Sequence, residues 1–298
     1  MVADRLDAWV RHRTWGAEPG DVAMLRELLG RRSVSVIVPA RNEEPTVGPL
    51  VTELARGLAG MPAEIVVVDD ASDDGTAAAA RAAGARVVRA SRRLGKGGAL
   101  RHGLEATAGE FVVFVDADVP DFRPYWVASL LLPLLLDEAV VLVKAAYDRP
   151  LAVGGVLHPT AGGRVTRLVA VPVLNLVAPE LTVIAQPLAG ETAVRRTFLD
   201  KCVLEDDYSV ELALLLDAYD AAGLDGLAQV DLGVRAHRHH ADEELGRMAT
   251  DVLRAAARHA GWPVSDAGYA HVRRAPDGRL ARHVHPPRDE GRPDRGSG

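Results

Sequence analysis

Two carboxylates spaced i, i+2, Asp116 and Asp118, close the run Glu110-Phe-Val-Val-Phe-Val-Asp-Ala-Asp118. Apolar residues bounded by charge read as a strand buried on both faces, and such a strand delivers the acids to its carboxyl end. In an open α/β sheet that end borders the ligand crevice. Hard divalent cations take oxygen ligands and keep positions open for phosphate oxygens, so the pair suits a metal that carries a diphosphate. A lone Asp-x-Asp fits a cap on the next turn equally well, and the neighbouring loops decide between the two.

Those loops belong to a series of βα units. Val34–Val38 reads as a strand, Pro39-Ala-Arg-Asn-Glu-Glu44 as the loop after it, and Val47, Leu50, Val51, Leu54 and Leu58 as a helix face. Glu64–Val68 is a second strand, ending in Asp69-Asp-Ala-Ser-Asp-Asp-Gly-Thr76. Arg86–Val88 is a third, followed by Leu94-Gly-Lys-Gly-Gly-Ala-Leu100. This alternation predicts an α/β fold with a mostly parallel sheet flanked by helices, its loops converging on one edge. There Asp70 can accept hydrogen bonds from a base or ribose, and helix N-terminal amides can hold an anion. Lys96 supplies a cation between glycines that let backbone approach closely. Neither a P-loop nor a Gly-x-Gly-x-x-Gly spacing occurs at these strand ends, which argues against a dinucleotide site.

The second half is less regular. Val127–Val143 is interrupted by Pro133, Asp137 and Glu138, so it reads as a buried helix and then a strand rather than a membrane span of ~20 apolar residues. Gly162-Gly-Arg-Val-Thr166 opens a helix whose amides, guanidinium and hydroxyl can together hold an acidic group. Leu181–Glu191 reads as a strand running into a tight turn. Glu211 stands in the first turn of an amphipathic helix with Leu214, Leu215 and Ala218, where a carboxylate also suits the helix dipole. Ala228–Val234 precedes Arg235-Ala-His-Arg-His-His240, in which alternation puts His237 and His239 on one face. One imidazole could complete an aspartate-held Mg2+ or Mn2+, and a His, His, Asp, Asp transition-metal set is the alternative.

The expected organisation is an N-terminal helical segment over 1–32, a half of βα units over 33–150, a less regular half with a C-terminal helix over 151–265, and a partly disordered tail over 266–298. With 35 Lys+Arg against 41 Asp+Glu and a net charge of −6, the chain carries no global footprint for nucleic acid or an anionic membrane. A small-molecule partner is expected. The single cysteine, Cys202, excludes an internal disulfide. The N-terminus lacks a secretory pattern, so a cytoplasmic address is expected. Apolar faces in 1–32 and 243–260 would suit a homodimer contact.

Taken together, Val34–Glu44, Val67–Thr76, Gly95–Leu100 and Val115–Asp118 resemble the nucleotide-sugar half of GT-A glycosyltransferases. Gly162–Ala170, Gln186-Pro-Leu-Ala-Gly-Glu191, Tyr208-Ser-Val-Glu211 and Val230–Arg238 resemble the glucosyl-3-phosphoglycerate synthases, and the similarity runs from about residue 10 to 260. The resemblance implies a GT-A, Rossmann-like fold with a smaller acceptor-binding half. It implies retaining transfer of a hexose, glucose before others, from a UDP-sugar to the 2-hydroxyl of 3-phosphoglycerate or a related small acidic acceptor, with Mg2+ or Mn2+. Carried over by motif, Pro39, Ala40, Arg41, Asn42, Glu43, Asp70, Lys96 and Ala117 would line the nucleotide sugar. Asp116 would contact its ribose or sugar side, and Asp118 with His237 would hold the metal. Gly163, Arg164, Val165 and Thr166 would grip the acceptor, with His239 on the same side. Leu188 would present its carbonyl near the anomeric carbon, and Glu211 would orient the transferred sugar. Three positions depart from the family's usual residues: a leucine or similar at Arg41, a serine at Asp70 and an asparagine at His239. A polyprenyl-phosphate hexosyltransferase would want a membrane-associating element. A silent nucleotide-sugar-binding protein would not need Asp116, Asp118, Lys96 and His237 together.

Overall fold

The computed structural model describes residues 2–153, 156–158, 162–235, 242–265, 268–274, 276 and 279–285. In chain order the elements are α1 (Val2–Arg13), β1 (Thr14–Gly16), α2 (Asp21–Leu29), β2 (Val34–Ala40), α3 (Glu44–Gly57), β3 (Ala63–Asp69), α4 (Thr76–Ala82), β4 (Arg86–Arg89), α5 (Gly95–Glu105) and β5 (Phe111–Phe114). There follow α6 (Trp126–Leu136), β6 (Leu142–Asp148), a hairpin of β7 (Leu151–Val153) and β8 (Val156–His158), α7 (Val171–Val177), β9 (Thr192–Arg195) and α8 (Arg196–Leu199). The chain continues through α9 (Val210–Ala222), β10 (Leu227–Val234) and α10 (Asp242–His259) to a second hairpin, β11 (Tyr269–Arg274) and β12 (Leu280–His285).

Among the described residues the central sheet has eight strands in the order β1-β10-β6-β9-β5-β2-β3-β4. All neighbours are parallel except β9, which runs antiparallel to both β5 and β6. Alternation along the β-branched strands divides one sheet between two cores. Val36, Val38, Val67 and Val113 pack with Leu50 and Leu54 of α3 and Leu131 of α6. Ile37, Val66, Val68, Val112 and Phe114 pack on the other face with Leu100 of α5, Leu215 of α9 and Val252 of α10. From β2 the chain steps outward to β3 and β4, then returns to place β5 on the other side of β2. The loops after β2 and β5 therefore part at this switch point and leave a crevice.

Four features differ from the sequence reading. Leu181–Ala185 is not a strand: Pro179–Val183 forms a 3-10 helix, and the strand begins only at Thr192. Pro187, which has no N–H to donate to a ladder, interrupts the run before Thr192. Thr14–Gly16 supplies a parallel edge strand beside β10. Thr166–Ala170 is a π-helical turn leading into α7. Tyr269–Arg274 and Leu280–His285 pair as antiparallel strands that the sequence pattern did not announce.

Candidate active site

A cleft of about 300 Å3 opens at the carboxyl ends of β2, β3, β5 and β6. Pro39, Ala40, Arg41, Glu43, Asp70, Lys96, Asp116, Ala117, Asp118, Gly163, Arg164, Val165, Thr166, Leu188 and Glu211 all line it. Asn42 is not among the lining residues. With φ at 55°, a left-handed turn that asparagine tolerates, Asn42 ties two loops together. Its Oδ1 accepts from Asp73 N–H at 2.9 Å and its own N–H donates to Ser72 Oγ at 3.0 Å. His237 and His239 lie outside the described residues.

The strand-end loops brace one another. The Asp70 carboxylate accepts the N–H groups of Leu94 and Gly95, at 2.5 and 3.1 Å, so it stabilises the start of α5 where the helix dipole favours an anion. A carboxylate has about four lone-pair sites, which leaves Asp70 free to accept from a ligand as well. Arg41 donates to the carbonyls of Asp70 and Ala71 at 3.0 and 3.3 Å. The first turn of α5 packs so closely on the Glu205–Asp206 backbone that a Cβ at Gly97 would stand 1.7 Å from the Glu205 carbonyl oxygen. This contact holds Lys96 at the base of α9.

Lys96 Nζ lies 2.6 Å from Asp116 Oδ1 and 2.5 Å from Glu211 Oε1. Burial opposes the ammonium form, but the two carboxylates outweigh it and hold the Lys96 pKa well above its ordinary value. Glu211, buried in the first turn of α9, is shifted upward by burial and by Asp116 despite the lysine. Asp118 is raised too, first by burial and then by Asp116 and Glu191. An acid so placed is short of positive charge, and its hard oxygens are the donors a Mg2+ or Mn2+ ion takes. Among the described residues no three His, Cys, Asp or Glu groups converge as a metal site.

Three features of the site escaped the sequence reading. Arg149 lines the cleft just beyond β6, its guanidinium 5.1 Å from the Tyr147 ring centroid and donating to Tyr147 Oη at 2.8 Å. Gly162 N–H donates to the Arg149 carbonyl at 2.8 Å, so the Gly-Gly turn carrying Arg164 is fastened to the end of β6. The position of Arg149 after a parallel strand was the available signal. Leu245, Met248 and Val252 of α10 form an apolar wall of the cleft. Glu191 and Arg235 form an ion pair at 2.5 Å, each 1 % exposed, behind Asp116. Cys202 takes no part: burial pushes its thiol up to about 11.

Comparison with known proteins adds to this geometry. Residues 35–156 match the family model "Glycosyl transferase family 2". The chain is 43% identical over 267 residues to the glucosyl-3-phosphoglycerate synthase of Mycolicibacterium smegmatis, covering 87% of this chain and 88% of that protein. It superposes with a TM-score of 0.81 and 38% identity on the glucosyl-3-phosphoglycerate synthase of Mycobacterium tuberculosis in complex with Mn2+ and UDP-glucose, over 92% of this chain and 94% of that one. The same enzyme in complex with Mn2+, UDP and glucosyl-3-phosphoglycerate superposes with a TM-score of 0.81, 38% identity and the same coverage.

Proposed function

Since the chain belongs to the glucosyl-3-phosphoglycerate synthase family, we propose that it moves glucose from UDP-glucose to the 2-hydroxyl of 3-phosphoglycerate with retention at the anomeric carbon. One observation carries this reading: a single cleft at the switch point holds the Asp116–Lys96–Glu211 cluster, Asp118 and the guanidinium-bearing residues Arg149 and Arg164. The first set suits a sugar diphosphate and its cation. The second suits an acceptor that carries a phosphate and a carboxylate.

Pro39, Ala40, Arg41, Glu43 and Asp70 receive the nucleoside, and Asp116 with Ala117 the ribose and sugar. Asp118, with His237 from the undescribed segment, holds Mg2+ or Mn2+. When bound, the cation offsets charge that builds on the departing UDP. Gly163, Arg164, Val165, Thr166 and Arg149 grip the acceptor, with His239 on that side. A retaining reaction needs a covalent nucleophile or attack on the same face as the leaving group. Glu211 Oε1 is engaged by Lys96 at 2.5 Å, so Glu211 orients the sugar and the same-face route is favoured. No described helix is long and apolar enough to cross a membrane. Soluble substrates suit a cytoplasmic enzyme, and a homodimer through the faces at 1–32 and 243–260 completes the proposal; a monomer mass by light scattering would remove the dimer.

The test incubates the protein with Mg2+, UDP-glucose and 3-phosphoglycerate and follows UDP and glucosylated product by mass spectrometry. Wild type should make both, and Asp118→Ala should make neither while keeping its circular dichroism. UDP release without the glucosylated acid would remove 3-phosphoglycerate as acceptor. Arg149→Met should raise the KM for 3-phosphoglycerate by roughly 10- to 100-fold, the worth of a lost charge-assisted hydrogen bond. The KM for UDP-glucose should stay within about threefold; an equal rise in both would place Arg149 on the donor.

A further inference from the structure

The segment from Ile184 to Gly190 has neither helix nor strand, so its backbone polar groups need partners from elsewhere. Side chains rooted in the sheet supply several of them, and the segment's own Gln186 reaches back to the sheet. Gln229 on β10 accepts Ala185 N–H at 2.9 Å and donates to the Val183 carbonyl at 3.1 Å. Gln186 donates to the Tyr147 carbonyl at 2.9 Å. Lys144 on β6 donates to the Ala189 carbonyl at 2.6 Å, and Thr192 Oγ1 joins it at 3.3 Å.

Lys144 is 1 % exposed. Burial lowers its pKa to about 8 against the pull of Glu211, Glu191 and Asp116, so near neutral pH the fold carries a buried ammonium at a cost. Packing alone would favour methionine here. The turn that Lys144 fastens carries Leu188 into the cleft and sets Gly190 against Asp116, where an added Cβ would stand 2.1 Å from Oδ2. Lys144 itself does not line the cleft.

We propose that Lys144 is a positioning residue for glucosyl transfer, its ammonium fixing the Gln186–Gly190 turn so that the Leu188 carbonyl and the Asp116 carboxylate meet the reacting sugar. The inference rests on the function proposed above. It acts on geometry at the reacting carbon and leaves nucleotide binding to the other loops.

The full-length Lys144→Met and Lys144→Arg proteins test this. A small misplacement of reacting groups can cost about 100-fold in rate. Lys144→Met is therefore expected to lose roughly 100-fold in kcat at saturating substrates, with the Kd for UDP and Mg2+ within about threefold of wild type and a Tm no lower than wild type. Lys144→Arg, which keeps the charge and the donor, should recover kcat to within about tenfold. Three results would overturn the inference: a kcat for the methionine variant within about threefold of wild type, a kcat loss matched by weaker UDP binding, or a lowered Tm or insoluble protein, which would make Lys144 a residue of stability alone. Wild type making no glucosylated product would sink the functional reading first, and this inference with it.

Discussion

Replacing Lys96 by methionine should lower transfer by about 1,000-fold or more and destabilise the fold by about 2–3 kcal/mol, as breaking a largely buried ion pair does after discounting for residual solvent. The ammonium neutralises Asp116 and Glu211 at once, from 2.6 and 2.5 Å, and its side chain is only 18% exposed. Without it two carboxylates face each other in a poorly solvated place, and one must take up a proton. Glu211 is the candidate, because burial and Asp116 already raise its pKa and Lys96 is what opposes them. The sign follows. A carboxyl raised in the folded state contributes stability that is present below its unfolded pKa and lost as pH rises through its folded pKa. The variant should therefore lose stability relative to wild type on going from about pH 5 to pH 8. Wild type should show a smaller loss from this cluster, since Lys96 stays charged throughout and opposes the rise that burial and Asp116 impose on Glu211. Adding Glu211→Gln should recover stability and not activity. Urea unfolding at both pH values, beside the transfer assay, decides it; a variant with equal stability at the two would mean that the carboxylates are solvated apart.

The strands that carry the cleft were legible because they obey local rules. Val34–Val38, Val66–Val68 and Phe111–Phe114 are β-rich runs buried on both faces, and each ends where polar or glycine residues begin. Asp116, Asp118 and Asp70 follow directly from those ends, Lys96 comes from the start of α5 after β4, and all four line one cleft. What could not be read locally depends on β9. A four-residue Thr-Ala-Val-Arg strand has little pattern of its own, yet its insertion antiparallel between β5 and β6 brings Gly190 and Glu191 beside Asp116. Lys144 reads as an ordinary polar interruption of a strand until the irregular turn above it shows what its ammonium holds. The bracing by Asn42 was equally hidden: its left-handed turn aims Oδ1 at the Asp73 N–H of the next loop, a contact no local pattern announces.

The Glu191–Arg235 pair should show the second large effect. Both side chains are 1% exposed and 2.5 Å apart, and the guanidinium lies 4.6 Å from the Tyr147 ring centroid and 5.5 Å from that of Trp126. Removing one partner strands a buried charge, which costs about 3–5 kcal/mol, so Glu191→Gln and Arg235→Met should each lower stability by that amount. Burial alone would raise the Glu191 pKa, but Arg235 outweighs it and holds the carboxyl below its ordinary value. Such a depressed acid contributes stability above its unfolded pKa and loses it as pH falls through the folded pKa, so the pair should protect wild type until well into the acid range. Arg235→Met reverses the sign: Glu191 is left with burial, its pKa rises, and the variant should be least stable relative to wild type at neutral pH. Replacing both partners by apolar groups of similar size, Glu191→Leu with Arg235→Met, should recover most of the stability, because a buried ion pair is rarely better than good packing. Activity should not return. Glu191 follows Gly190, which sits against Asp116, so changing the pair disturbs the backbone beside that carboxylate. A double-mutant cycle in urea tests the coupling, and a coupling energy below about 1 kcal/mol would show that the two charges are solvated independently.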